Sequence, residues 1–157
     1  MAITGTGTQA DPWIVHSYDE IKSCIASITA SSPYEPFYLE LANDINCNDY
    51  GADFTWETVG HTNTSVKWEF DLKGHTIKNV LIKNGANLMF RGGTSSGNYN
   101  CYIRNGKILN VFAQDANEFF RAMAFENVSF SGNASMLSNN GCFSSCGFSN
   151  SALHVES

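Results

Sequence analysis

Charge is scarce in this chain. Asp, Glu, Lys and Arg make up 15% of its 157 residues, where about 25% is usual for a globular domain. Basic residues are scarcer still: 9 Lys and Arg stand against 15 Asp and Glu, for a net charge of −6. Duplex nucleic acid and anionic membranes are bound by Lys and Arg in excess, which neutralise phosphates. Neither is expected as a partner here, although net charge does not speak against a local basic site for a small anion. No apolar run is long enough to cross a bilayer. Residues 1–16 lack both the basic start and the apolar stretch of a signal peptide. The expectation is a protein made without an export signal, in the cytoplasm of its host. Five cysteines (Cys24, Cys47, Cys101, Cys142, Cys146) are an odd number, so buried free thiols are expected rather than a disulfide framework. Cys142 and Cys146 have no second pair at matching spacing, and no metal or other cofactor is expected. The glycine-rich stretch 92–98 lacks the Lys-Ser/Thr that follows in a phosphate-binding loop, and reads as a flexible connection.

Against these absences stands a repeat. Phe70-Asp71-Leu72-Lys73-Gly74-His75-Thr76-Ile77-Lys78-Asn79-Val80 returns as Arg104-Asn105-Gly106-Lys107-Ile108-Leu109-Asn110-Val111. Glu126-Asn127-Val128-Ser129-Phe130 and Ser145-Cys146-Gly147-Phe148-Ser149 read as degenerate later copies. A turn followed by a short strand, recurring every ~20–30 residues, is the pattern of a β-solenoid. Thirteen glycines with many Asn and Ser suit coil corners, where such side chains hydrogen-bond to their equivalents in the next coil. The glycine spacing narrows along the chain, from Gly74–Gly106 to Gly132–Gly147, so the coils are expected to shorten.

The N-terminal part, residues 1–36, reads as a lead-in, a first strand at Trp13-Ile14-Val15 and a helix over 18–29. Ser17 is its N-cap and Glu20 completes a capping box, while Tyr18, Ile21, Ile25 and Ile28 fall at helical spacing. Such a helix covers the open first coil, since solenoid ends expose apolar interior and unpaired backbone. Residues 37–157 read as the coils of one domain. Phe37–Leu41 alternates as a strand, 43–51 is an Asn/Asp-rich turn, and 52–69 reads as an excursion from the first coil. From Phe70 on, short β runs alternate with turns.

Gly-Thr-Gly-Thr-x-x-Asp-Pro-Trp-Ile-Val (5–15), Tyr-Asp-Glu-Ile-Lys (18–22), Leu-Ala-Asn-Asp-Ile (41–45) and Phe-Asp-Leu-Lys-Gly-His-Thr-Ile (70–77) together resemble the pectate-lyase-like right-handed parallel β-helix superfamily. Within it, the likeness is to the small β-helix proteins of phages and prophages of gut bacteria. The resemblance covers most of the chain. It implies an all-β fold, a right-handed parallel β-helix with a short N-terminal capping α-helix. It also implies a homo-oligomer, a trimer by analogy with other stacked β-helices, in which copies or a further partner cover the last coil. Roles in the superfamily run from receptor-binding tail proteins and sugar-binding modules to polysaccharide lyases and hydrolases. Short phage proteins that sequester a signal molecule or a defence enzyme are a further class.

The catalytic patterns of that superfamily are poorly matched. A lyase needs an acidic Ca²⁺ cluster beside an Arg or Lys base, and a hydrolase needs paired aspartates along successive coils. This chain has no Asp-Asp pair, and Arg91, Arg104 and Arg121 stand singly. Asp44, Asp49, Asp53 and Glu57 with His61 form the densest acidic group, but aspartates in such turns ordinarily cap the turn. The expectation is therefore a non-enzymatic, virion-associated or host-surface protein that binds glycan. The alternatives are an intracellular counter-defence protein that holds a nucleotide-like signal or a host effector, and a polysaccharide lyase or hydrolase. Aromatic faces among neutral polar groups suit sugars and bases, which makes Trp56, Trp68 and Tyr102 candidate ligand contacts. Lys73, His75, Arg104 and Lys107 lie near repeated corners. Stacked coils would bring Lys73 and Arg104 together as a basic ladder for a phosphate or carboxylate.

Overall fold

A computed structural model describes residues 2–28, 35–61, 65–83, 89–92, 94–95, 98–114, 119–133, 143–144 and 146–156. The fold is all-β, built on parallel sheets, with one α-helix among the described residues, near the start. Strands β1 (Trp13–Val15), β2 (Phe37–Leu41), β3 (Ile45–Asn46), β4 (Val59–Gly60), β5 (Trp68–Asp71) and β6 (Thr76–Lys83) come first. They are followed by β7 (Phe90–Arg91), β8 (Thr94–Ser95), β9 (Asn98–Tyr99), β10 (Cys101–Gln114), β11 (Phe120–Arg121) and β12 (Ala124–Asn133). The last are β13 (Phe143–Ser144), β14 (Gly147–Ser149) and β15 (Ala152–Glu156). In one sheet the strand order is β1-β2-β5-β10-β12-β14, with β3-β6 and β15 joining β10 and β12 further along. The second runs β13-β11-β7-β4, and every pairing in both is parallel.

The register explains the hydrophobic composition. Leu39, Phe70, Ile103, Phe125 and Phe148 occupy one column across neighbouring strands. Ile45, Ile77, Ile108, Phe130 and Leu153 occupy a second. On the opposite sheet Val59, Phe90, Phe120 and Phe143 form a third, with Phe90 and Phe120 stacked at 6.5 Å. Side chains alternate between faces along a strand, so these columns enclose one continuous core. Each buried large side chain contributes about 1.5–3 kcal/mol of apolar burial.

Corners are held by asparagine. Lys73, Asn79, Asn105, Asn110, Asn127 and Asn150 all have positive φ, between 49° and 58°, a region asparagine enters more readily than most residues because its short amide bonds locally. Asn110 donates to Asn79 (3.2 Å) and Asn79 to Asn46 (2.8 Å). At a second corner Asn127 donates to Asn105 (3.2 Å) and Asn105 to Asp71 (3.0 Å). These partners are 31–34 residues apart early in the chain and 22 apart later. The spacing between paired strands does shorten, though not as far as the glycine spacing suggested. Gly132 pairs opposite Val111 and Val155, whereas Gly147 pairs opposite Ala124, so these glycines are not equivalent positions.

Three further readings are corrected. The last copy of the repeat is Ser149–Leu153 and not 145–149, because Ser149 aligns with Glu126 and Leu153 with Phe130. Residues 52–69 are not an excursion: Val59–Gly60 is a rung of the second sheet, beside β7. The stretch 92–98 contains β8, which pairs antiparallel with β9 as a hairpin. The helix α1 spans Tyr18–Ser27, with Ser17 accepting the Glu20 N–H at 3.3 Å. Glu20 reaches back to the His16 N–H at 2.7 Å, one residue before the cap. Tyr18, Ile21, Cys24, Ile25 and Ile28 are buried beneath it. The other end is apolar and open among the described residues: Phe148 and Leu153 are 51% and 42% exposed.

Candidate functional site

Strands that align their inward residues also align their outward ones. Tyr38, Glu69, Tyr102 and Ala124 form one outward column, and Glu40, Asp71, Arg104, Glu126 and Ser149 form the next. Of these, Tyr38, Glu40, Glu69, Asp71 and Arg104 wall a cleft of about 200 Å³ with the lead-in residues Gln9 and Pro12. A second cleft of about 160 Å³ lies beside it and shares Gln9 and Tyr38. The lead-in is fixed in place: Tyr38 N–H donates to Gly7 O at 2.9 Å, and Thr6 and Gly7 both donate to Asp11 O at 3.0 Å.

Arg104 is the hinge of the charge arrangement. Its Nη1 donates to Glu69 Oε2 at 2.8 Å, and its guanidinium lies 4.9 Å from the centre of the Tyr102 ring. Its Nε lies 2.9 Å from Glu126 Oε2 but outside hydrogen-bonding geometry, so that contact is an ion pair only. Lys73 Nζ reaches Glu40 at 3.4 Å. Asp71 accepts from the Lys73 N–H at 2.7 Å and from Asn105 at 3.0 Å. Burial raises the Tyr38 hydroxyl pKa above its usual value, with the Glu69 and Glu35 carboxylates adding to the effect and Arg104 opposing it.

The residues singled out from sequence fall into three groups. Arg104 and Tyr102 stand together, and Lys73 is near them at the same corner. They do not make a ladder of like charge, because Arg104 aligns with Asp71 and each cation faces carboxylates. His75 Nδ1 lies 3.2 Å from Asp44 Oδ1, which also accepts the Thr76 N–H at 2.9 Å. That backbone bond, with His75 beside it, holds the Asp44 carboxyl below its usual pKa. Lys107 sits further along β10, opposite Thr76 and Ser129. Trp56 and Trp68 are both 0% exposed and belong to the core, where no ligand at the surface reaches them. Trp56 donates to Met89 O at 2.8 Å, and Trp68 Nε1 has no partner among the described residues.

The acidic group at Asp44–His61 does not converge. Asp49 accepts from Asn46 at 3.1 Å, Glu57 pairs with Lys22, and His61 Nε2 donates to Ile25 O at 2.5 Å. Among the described residues no three His, Cys, Asp or Glu side chains are placed to hold a metal ion. Burial pushes the Cys24 thiol up to about 11 and the Cys47 thiol up to about 12, so neither is a ready nucleophile.

Sequence reasoning counted Tyr38 only among the aromatics that suit a sugar or base, and missed Glu40 and Glu69. Their signal was present: Tyr38-x-Glu40, Glu69-x-Asp71, Tyr102-x-Arg104 and Ala124-x-Glu126 share the two-residue spacing of one strand face. Counting aspartates alone hid a group of carboxylates drawn from two strands. Comparison with protein-family models, curated proteins and solved structures gave no match. Chemically, the cleft offers the Tyr38 ring, three carboxylates and one guanidinium, on strands that hold them at fixed spacing.

Proposed function

We propose that the chain is a right-handed parallel β-helix of the phage-encoded kind, oligomeric, that binds a bacterial surface glycan without cleaving it. The virion, or the host surface during adsorption, is its place of action. One observation carries the reading: Tyr38 shares one cleft with Glu40, Glu69 and Asp71 on adjoining in-register strands, and Tyr102 lies opposite Glu69 on the next strand. Sugar rings offer apolar C–H faces to tyrosine and hydroxyl donors to carboxylates. The phage setting rests on the sequence motifs alone.

Binding is favoured over cleavage because the carboxylates are committed to the frame. Asp71 accepts a backbone N–H and the Asn105 amide, and Glu69 holds Arg104. A nucleotide-like signal is the weaker alternative, since carboxylates outnumber cations around the cleft and would repel its phosphates. Titration calorimetry against oligosaccharides released from bacterial surfaces tests the reading. The native chain should bind, and Tyr38→Ala should bind about tenfold more weakly, a loss of about 1.4 kcal/mol. Release of reducing ends on incubation would make the chain an enzyme, and tight binding of cyclic dinucleotides in place of sugars would favour sequestration.

A further inference from the structure

The two clefts that meet at Tyr38 differ in chemistry. The larger is walled by Glu40, Glu69, Asp71 and Arg104, three carboxylates to one cation. Arg104 is also occupied, with Glu69 on its Nη1 and Glu126 beside its Nε. An incoming carboxylate would therefore meet net negative charge and a guanidinium already paired. The smaller compartment is mostly apolar, walled by Pro36, Phe37 and Tyr38, with Thr8, Gln9 and Glu35 also lining it. Phe37 is set there by stacking on Trp13 at 5.2 Å. Gln9 borders both compartments, and a primary amide both donates and accepts.

Resting on the glycan reading above, we infer that this double cleft selects an uncharged oligosaccharide bearing an N-acetylated sugar, and rejects uronic acids and other anionic sugars. The acetamido methyl lies against Phe37 and Pro36, and its amide meets Gln9. The neighbouring sugar gives its hydroxyls to Glu40 and Asp71, with Tyr38 as the wall between the two. Burial first, and then the Glu69 and Glu35 carboxylates, raise the Tyr38 hydroxyl pKa, and those two carboxylates add to the negative charge that an anionic sugar would meet.

Calorimetry with three defined tetramers, of N-acetylglucosamine, glucose and galacturonate, provides the test, with circular dichroism to confirm that each variant is folded. The N-acetylglucosamine tetramer should bind at least tenfold more tightly than the glucose tetramer, and galacturonate should not register. Gln9→Trp, on the exposed lead-in, should abolish the preference by filling both compartments. Glu69→Gln removes one negative charge and releases Arg104, so it should bring galacturonate binding into range. Equal binding of glucose and N-acetylglucosamine tetramers would overturn the acetamido compartment. Galacturonate bound by the native chain as tightly as the neutral tetramers would overturn the charge selection. If none of the tetramers binds while whole surface polysaccharide does, this inference fails and the glycan reading stands. If neither binds, both fail.

Discussion

Asn79 has φ of +58° and its side-chain amide both donates to Asn46 and accepts from Asn110. Alanine there would keep the strained backbone and lose both bonds. Holding a non-glycine residue left-handed costs roughly 1–2 kcal/mol, and each half-buried hydrogen bond contributes about 1 kcal/mol. Asn79→Ala should lower unfolding free energy by about 2 kcal/mol, read from the midpoint of urea unfolding; a change below the error of that midpoint would remove the ladder from any account of stability. Such positions were legible in the sequence, because Asn and Gly at repeated spacings mark corners whatever surrounds them. The charges were not. Whether Lys73 and Arg104 face an anion or a carboxylate depends on which strand lies alongside, and only the register puts Asp71 opposite Arg104 and Glu40 opposite Asp71. The same dependence hid the burial of Trp56 and Trp68, whose aromatic character suited a core and a binding face equally.

Among the elements, α1 was readable to its cap because its signals are local. Ser17 accepts the Glu20 N–H, acidic residues fill the first turn, and the apolar face follows helical spacing. Ser17→Ala should cost about 1 kcal/mol. Since α1 lies over Trp56 and the first rungs, with Tyr18 and Trp56 rings 4.6 Å apart, the loss should appear as earlier exposure of the tryptophans. Fluorescence and circular dichroism transitions that remain coincident would show instead that the helix melts with the sheets. Strands gave less from sequence alone. β10 runs unbroken over Cys101–Gln114, although Asn105-Gly106 reads as a turn. The chain bends there without leaving the sheet, since Arg104 and Lys107 are both paired across the bend. β4 was missed for the opposite reason: two residues carry too little pattern to be seen until β7 lies beside them.

At the scale of the whole molecule the two ends differ. The first rungs lie under α1, whereas Phe148 and Leu153 leave an apolar cleft of about 270 Å³ at the other end. Large apolar patches are uncommon on free monomers, and the proposal of an oligomer places this face between copies of the chain. Light scattering should then give a mass well above 17.2 kDa, a trimer by the resemblance. Leu153→Lys should shift it towards the monomer; a native chain that is monomeric across the micromolar range would remove the oligomer from the proposal. Between the two ends, the parallel register has a consequence for inheritance. The inward columns run through successive strands, so an in-frame gain or loss of one whole strand-and-corner repeat leaves inside and outside unchanged. A single added codon within a strand turns the core residues that follow it outward. The unit by which such a gene lengthens or shortens is therefore that repeat, and the corners are where single codons are gained or lost without turning a strand's faces.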